Sequence, residues 1–273
     1  MKKIAILPTL LTLGNAVCGF AAIAYAGKIG MPGQAYSDEY FLAISGWLIV
    51  AAMVFDSLDG AVARLSRTSS KFGCELDSLC DAISFGAAPA FLLLRLGPSW
   101  ERPFMHQLLA VVATLYMTCA ILRLARFNVE STPEVTGKKG FKGLPSPAAA
   151  GCIASLAILK GGILDRFEGL NPTYVGNVIE VWAIFGALFV ALLMVSNIPY
   201  PKMTKKVLSG RRHFDQLILL VVAGFTLAVV QQLAVALIFW GYVAAILAHF
   251  VWARMLHRAP EALPATDGPA IDQ

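Results

Sequence analysis

Charge is scarce in this chain. Asp, Glu, Lys and Arg together make up 14% of its 273 residues, where soluble domains carry about 25%. Apolar residues reach 58% and the mean hydropathy is +0.68. That balance excludes an ordinary soluble domain and makes lipid the main solvent. Histidine is also sparse: His106, His213, His249 and His257 are scattered without ligand spacing. The five cysteines, Cys18, Cys74, Cys80, Cys119 and Cys152, contain no Cys-x-x-Cys pair, which excludes the common zinc patterns and leaves them as small packing residues. No internal repeat stands out, so neither a solenoid nor a duplicated bundle is expected.

What is present is a series of long apolar runs. A helix needs roughly 20 apolar residues to cross a hydrocarbon core about 30 Å thick. Eight runs qualify: Leu10–Ala26, Phe41–Leu65, Ser78–Leu96, Phe104–Phe127, Pro147–Leu164, Val175–Ser196, Phe214–Gln231 and Leu233–Met255. The expected fold is therefore all-α, a polytopic membrane helical bundle of about eight transmembrane helices, because lipid forces backbone groups to bond within each segment. One membrane domain over residues 1–258 precedes a Pro-rich tail, 259–273, that reads as disordered. Lys2 and Lys3 before the first run, with Ala24-Tyr25-Ala26 at its end, imitate a cleavable signal. The run is long enough to span, however, and seven more follow.

Lys and Arg fix the orientation. With the N-terminus in the cytoplasm, only Lys28, Arg95, Arg102, Lys160 and Arg166 of the 22 Lys and Arg fall outside. The net charge of +5 thus reflects topology and an inner face suited to anionic lipids and phosphates. It does not imply nucleic acid, since no soluble basic domain carries it.

Against that apolar background the stretch Asp56-Ser57-Leu58-Asp59-Gly60-Ala61-Val62-Ala63-Arg64, then Gly73-Cys74-Glu75-Leu76-Asp77-Ser78-Leu79-Cys80-Asp81, is costly. Each acid at membrane depth costs about 2.5–3.5 kcal/mol on insertion scales. At about 100° per residue, Asp56, Asp59, Gly60 and Ala63 share one face of the second span, and Gly73, Asp77, Asp81 and Ser84 share one face of the third. One span descends to the cytoplasm and the next leaves it, so the two acidic faces meet at one depth. Four carboxylates that close repel one another, and a divalent cation removes the problem. Oxygen ligands suit magnesium or manganese. The small residues Gly60, Ala63 and Gly73 leave room for a ligand, Arg64 adds a fixed positive charge, and the start of the third span offers free N–H groups to a phosphate. Metal, pyrophosphate and a spare carboxylate base outline a phosphoryl-transfer site. The competing readings are interhelical salt bridges or helix caps, and a cation pathway across the bilayer. The first has too few nearby cations, and the second would spread acids along the membrane normal.

At these residues the sequence resembles the CDP-alcohol phosphatidyltransferases, whose signature Asp-x2-Asp-Gly-x2-Ala-Arg-x8-Gly-x3-Asp-x3-Asp is met by Asp56, Asp59, Gly60, Ala63, Arg64, Gly73, Asp77 and Asp81. The resemblance implies that Asp56, Asp59, Asp77 and Asp81 hold two divalent ions, Mg2+ or Mn2+, on the pyrophosphate of CDP-diacylglycerol. It also implies that Asp81 is the catalytic general base, that Asp56, Gly60, Ala63, Arg64 and Gly73 bind substrate, and that CMP leaves. Three further blocks resemble the type II phosphatidylserine synthase branch: 70–86, Arg123-Leu124-Ala125-Arg126-Phe127-Asn128, and Phe141-Lys142-Gly143-Leu144-Pro145-Ser146-Pro147-Ala148-Ala149. They imply L-serine as acceptor, with Arg123, Arg126, Lys142 and Ser146 as further substrate-binding candidates. The resemblance also implies a homodimer. One departure is Pro8-Thr9, where related chains carry Pro-Asn; Asn15 offers a polar group nearby. No His-x-Lys-x4-Asp pair of the phospholipase-D-like synthases is present.

Read as residues alone, the extra blocks keep two meanings. Arg123 and Arg126 share a helix face at the inner boundary and suit a phosphate or an amino-acid carboxylate, or snorkel to the interface. Ser146 before Pro147 forms a good N-cap pair, Lys142 fits a solvated loop, and Asn128 fits a helix end. The expected activity is transfer of a phosphatidyl group from CDP-diacylglycerol to serine at the inner leaflet. The alternatives are another acceptor, glycerol 3-phosphate or an inositol phosphate, or a membrane metal or lipid transporter.

Overall fold

A computed structural model of the chain describes residues 6–66, 71–97, 103–130, 143–162, 172–196 and 231–256. All regular structure among them is helical: α1 (Ile6–Ala26), α2 (Asp38–Ser66), α3 (Lys71–Asp81), a π-helical turn (Ala82–Ala87), α4 (Ala88–Leu96), α5 (Pro103–Glu130), α6 (Ser146–Gly162), α7 (Pro172–Val195) and α8 (Gln231–Leu256). Five helices among the described residues are long and apolar enough to cross a membrane, the α3–α4 rod counting as one, and the apolar stretch Gln232–Ala248 of α8 is shorter. The chain is a multi-pass membrane protein built as a helical bundle. The expected seventh run, Phe214–Gln231, lies outside the described residues except for its last residue, which starts α8.

The helices begin where local chemistry allows. Ser37 Oγ accepts the Tyr40 N–H at 3.3 Å, and Asp38 and Glu39 occupy the first turn of α2, where the helix dipole favours negative charge. Asp38 Oδ1 also accepts the Gly30 N–H at 2.9 Å, tying down the α1–α2 connection, whose Gly30 and Gly33 adopt positive φ.

α6 is the axis of the bundle. Every residue from Ala149 to Ile158 is buried, so this helix meets protein on all sides, as a helix apolar all round does at a core. Its 17 residues fall just short of a full span. Its Ala- and Gly-rich composition is what lets neighbours approach closely. Gly46 of α2 sits against Ile158 and the Ala154 carbonyl, and Gly151 sits under the Phe239 ring of α8. α2, α7 and α8 pack around it, while α1 packs along α2. Outward-facing apolar side chains, such as Leu10, Val17 and Phe20 on α1 and Phe185 and Leu192 on α7, remain exposed, as a lipid-facing surface requires.

The third span is not a uniform α-helix. Pro89 lies in the first turn of α4 and has no N–H to give the Phe85 carbonyl four residues back. The chain widens there into the π-helical turn, and the Ala88 N–H bonds to the Ile83 carbonyl. The freed Phe85 carbonyl instead accepts the hydroxyl of buried Tyr116 on α5 at 3.0 Å. The 100° spacing that predicted the Ser84 face therefore ends at Asp81. Such π turns gather at functional sites, and this one starts at the residue after Asp81.

Candidate active site

α2 carries Asp56 and Asp59 one turn apart, and α3 carries Asp77 opposite them. One carboxylate oxygen from each lies within 4.8 Å of the others. The two acidic faces that the spacing predicted do converge. At that separation each like-charge pair costs roughly 3 kcal/mol at an effective dielectric near 20. Asp59 Oδ2 and Asp77 Oδ1 are buried and accept no hydrogen bond. Orphaned carboxylate oxygens in a cluster of like charges are what a divalent cation would satisfy, and the donor set is all oxygen. The three carboxylates thus form a group suited to a metal ion.

Asp81 lies a turn beyond Asp77 and is not one of the three that meet. It is within electrostatic reach of the other acids, and its Oδ1 accepts a hydrogen bond from Asn15 Nδ2 at 3.0 Å. Asn15 is fully buried in α1, and its carbonyl accepts the Ser84 hydroxyl at 2.9 Å. One residue of α1 therefore holds both Asp81 and the π turn that follows it. The close approach is possible because Gly19, next along α1, lies against Ser84, where any side chain would collide. The Thr12 hydroxyl is within hydrogen-bonding reach of Asp59. Sequence reasoning noted Asn15 only as a polar group near the first span and missed Thr12. The signal available for both was a polar residue on an otherwise apolar span.

Arg123 of α5 faces the acids from the far side. Its guanidinium is in the field of Asp81 and Asp56, and Nη1 donates to Ser146 Oγ at 2.8 Å. Among the described side chains, which do not include those of Arg64 and Lys71, no Lys or Arg forms an ion pair with the four aspartates. Ser146 is completely buried at the start of α6, so its hydroxyl serves Arg123. This joins two candidates that stand 23 positions apart in sequence. Asn128 is more than a helix end: its Nδ2 donates to Ser78 Oγ at 2.9 Å, linking α5 to α3. Arg126 is half-buried two residues earlier. Gly60 and Ala63 on α2 and Gly73 on α3 are half-buried beside the acids. Arg64 lies in α2, with its side chain outside the described residues, as is all of Lys142.

The arrangement can hold a divalent ion on three carboxylates, keep a fourth carboxylate aside, and present a guanidinium opposite it. Comparison with known proteins agrees with that chemistry. The family profile described as CDP-alcohol phosphatidyltransferase matches residues 5–196, from α1 through α7. The chain is 36% identical over 178 residues to a Helicobacter pylori CDP-diacylglycerol–serine O-phosphatidyltransferase, covering 65% of this chain and 68% of that one. It is 39% identical over 160 residues to the Methanocaldococcus jannaschii protein of the same name, covering 59% and 65%. It is 32% identical over 268 residues to one from Mycobacterium tuberculosis, covering 95% and 83%. With the match reaching across seven helices and the acid cluster inside it, the chain belongs to the CDP-alcohol phosphatidyltransferase family.

Proposed function

We propose that this protein is a membrane enzyme that transfers a phosphatidyl group from CDP-diacylglycerol to L-serine, giving phosphatidylserine and CMP. The observation that carries the reading is the trio Asp56, Asp59 and Asp77, with two buried carboxylate oxygens unpartnered and Asp81 one turn away. Serine as acceptor draws support from relatives that bear that name over as much as 95% of this chain.

Asp56, Asp59 and Asp77, completed by Asp81, would hold the divalent ions, two of Mg2+ or Mn2+. Those ions would neutralise the pyrophosphate and the charge that develops on departing CMP. The chain's own groups do the rest. Asp81, oriented by Asn15, takes the proton from the serine hydroxyl, whose oxygen attacks the β-phosphorus carrying the diacylglycerol. Arg123, held by Ser146, binds the serine carboxylate, with Arg126 and Lys142 as further substrate-binding residues. Gly60, Ala63, Arg64 and Gly73 receive the nucleotide. Displacement is in line. The site opens sideways to lipid and, with the N-terminus inside, to the cytoplasm. The enzyme works as a homodimer.

The test is CMP release from CDP-diacylglycerol by the detergent-solubilised protein, with Mg2+ or Mn2+ and a panel of acceptors. Serine should stimulate release well above every other acceptor. Equal stimulation by glycerol 3-phosphate or an inositol phosphate would overturn the acceptor assignment. Metal or lipid flux in liposomes without CMP release would replace the enzyme by a transporter.

A further inference from the structure

The acceptor side of the site does not end with the helices matched by the family profile. α8 lies beyond residue 196, where that match stops, yet it packs along α6. Two contacts fix their antiparallel register. Gln232 lies against Gly162 at one end, and the Phe239 ring covers Gly151 further along. Continuing that register brings the next turn of α8, with Tyr242 and buried Val243, toward the start of α6, where Ser146 accepts from Arg123. The Tyr242 ring packs on the core, and its phenol reaches the field of the Arg123 guanidinium. Arg123 therefore bonds to the Ser146 hydroxyl on α6 and feels, through space, the acids on α2 and α3 and a phenol on α8.

We propose that Tyr242 is a positioning residue for the acceptor: α8 flanks the acceptor side of the site, and in the acceptor-bound enzyme the Tyr242 hydroxyl accepts from the Arg123 guanidinium and aims it at the acceptor carboxylate. A guanidinium with five donors on a long stem loses aim unless its unused N–H groups are held. Ser146 holds one side in the structure, and Tyr242, the phenol on α8, takes the other once the acceptor is bound. The inference rests on the serine reading given above. It adds that selectivity for a carboxylate-bearing acceptor depends on a helix outside the matched region.

The test uses the full-length protein and measures KM separately for serine and for CDP-diacylglycerol. Losing a hydrogen bond to a charged group corresponds to roughly a tenfold change. Tyr242→Phe should therefore raise the serine KM about tenfold and move the CDP-diacylglycerol KM less than twofold. In an Arg123→Lys background, where the forked donor is gone, the same change should add less than twofold. Leu237→Ala, on the exposed side of α8, should leave the serine KM unchanged and so reports any general loosening of the helix. An unchanged serine KM in Tyr242→Phe overturns the inference while leaving the serine reading intact. So does an equal rise in both KM values, or an undiminished effect in the Arg123→Lys background. Absence of serine-dependent CMP release from the unaltered protein defeats the serine reading, and this inference falls with it.

Discussion

Among the described residues, two places bury carboxylates between apolar helices, and they settle the cost in opposite ways. On α7, Glu180 is 5% exposed and meets Lys160 of α6 at 2.7 Å, with Lys160 also 3.4 Å from the Leu96 carbonyl. On α2 and α3, three aspartates crowd within 4.8 Å with no such cation among the described residues. The first is answered by a cation inside the fold: Lys160 takes one oxygen of Glu180 while Oε2 makes no hydrogen bond, and the pair joins α6, α7 and the end of α4. The second is open: among the described residues nothing meets Asp59 Oδ2 or Asp77 Oδ1. A buried acid with its own partner reads as architecture, and a buried cluster without one reads as a ligand site.

Substitutions should sharpen that contrast, because the two places should fail in different ways. The largest effect belongs to the open one. Asp81→Asn should lower turnover by about a thousandfold, the scale of a lost general base, while CDP-diacylglycerol affinity changes only a few-fold. Single-turnover rates and substrate binding measured on the same preparation would check it. Equal loss of both would make Asp81 a binding group and blur the distinction between it and the trio. The paired place should lose stability and keep its chemistry. Glu180→Gln leaves the Lys160 ammonium largely buried and unpaired, which costs about 3 kcal/mol. The thermal midpoint should fall clearly, and kcat at low temperature should change less than twofold. Restored stability in a Lys160→Met/Glu180→Leu pair would identify the ion pair as architecture. A collapse of kcat in Glu180→Gln would show that the two places are coupled.

The same contrast explains what the sequence disclosed. The acid cluster was legible because it is local: Asp56 and Asp59 are one turn apart, Asp77 and Asp81 likewise, and a short connection brings the two helices together. Helical spacing and membrane cost were enough to find them. The Lys160–Glu180 pair was not, because it joins helices whose relative placement no local pattern encodes; Lys160 counted only as one of five outer positive charges. Asn15 and Thr12 escaped for the same reason, since a polar residue on an apolar span does not announce which helix it meets. The pairing of Arg123 with Ser146 was likewise hidden, and capping explained Ser146 well enough alone. The π turn at Ala82–Ala87 had a sequence cause in Pro89, but its depth and the Tyr116 hydroxyl that completes it depend on tertiary packing. Eight runs were expected and five long apolar helices stand among the described residues, with the seventh run outside them but for its last residue. α6 accounts for part of this: composition shows a helix that could sit in lipid, and only packing shows that protein surrounds it.

The central claim is that Asp56, Asp59 and Asp77 repel one another until a divalent ion joins them. The most direct measurement is the thermal midpoint of the purified protein and of an Asp59→Asn/Asp77→Asn variant, each with chelator and with millimolar Mg2+ or Mn2+. The account predicts that the metal raises the midpoint of the unaltered protein and not that of the variant, and that under chelator the variant is the more stable of the two. An equal response to metal in both proteins, or a variant less stable than the unaltered protein under chelator, would contradict it.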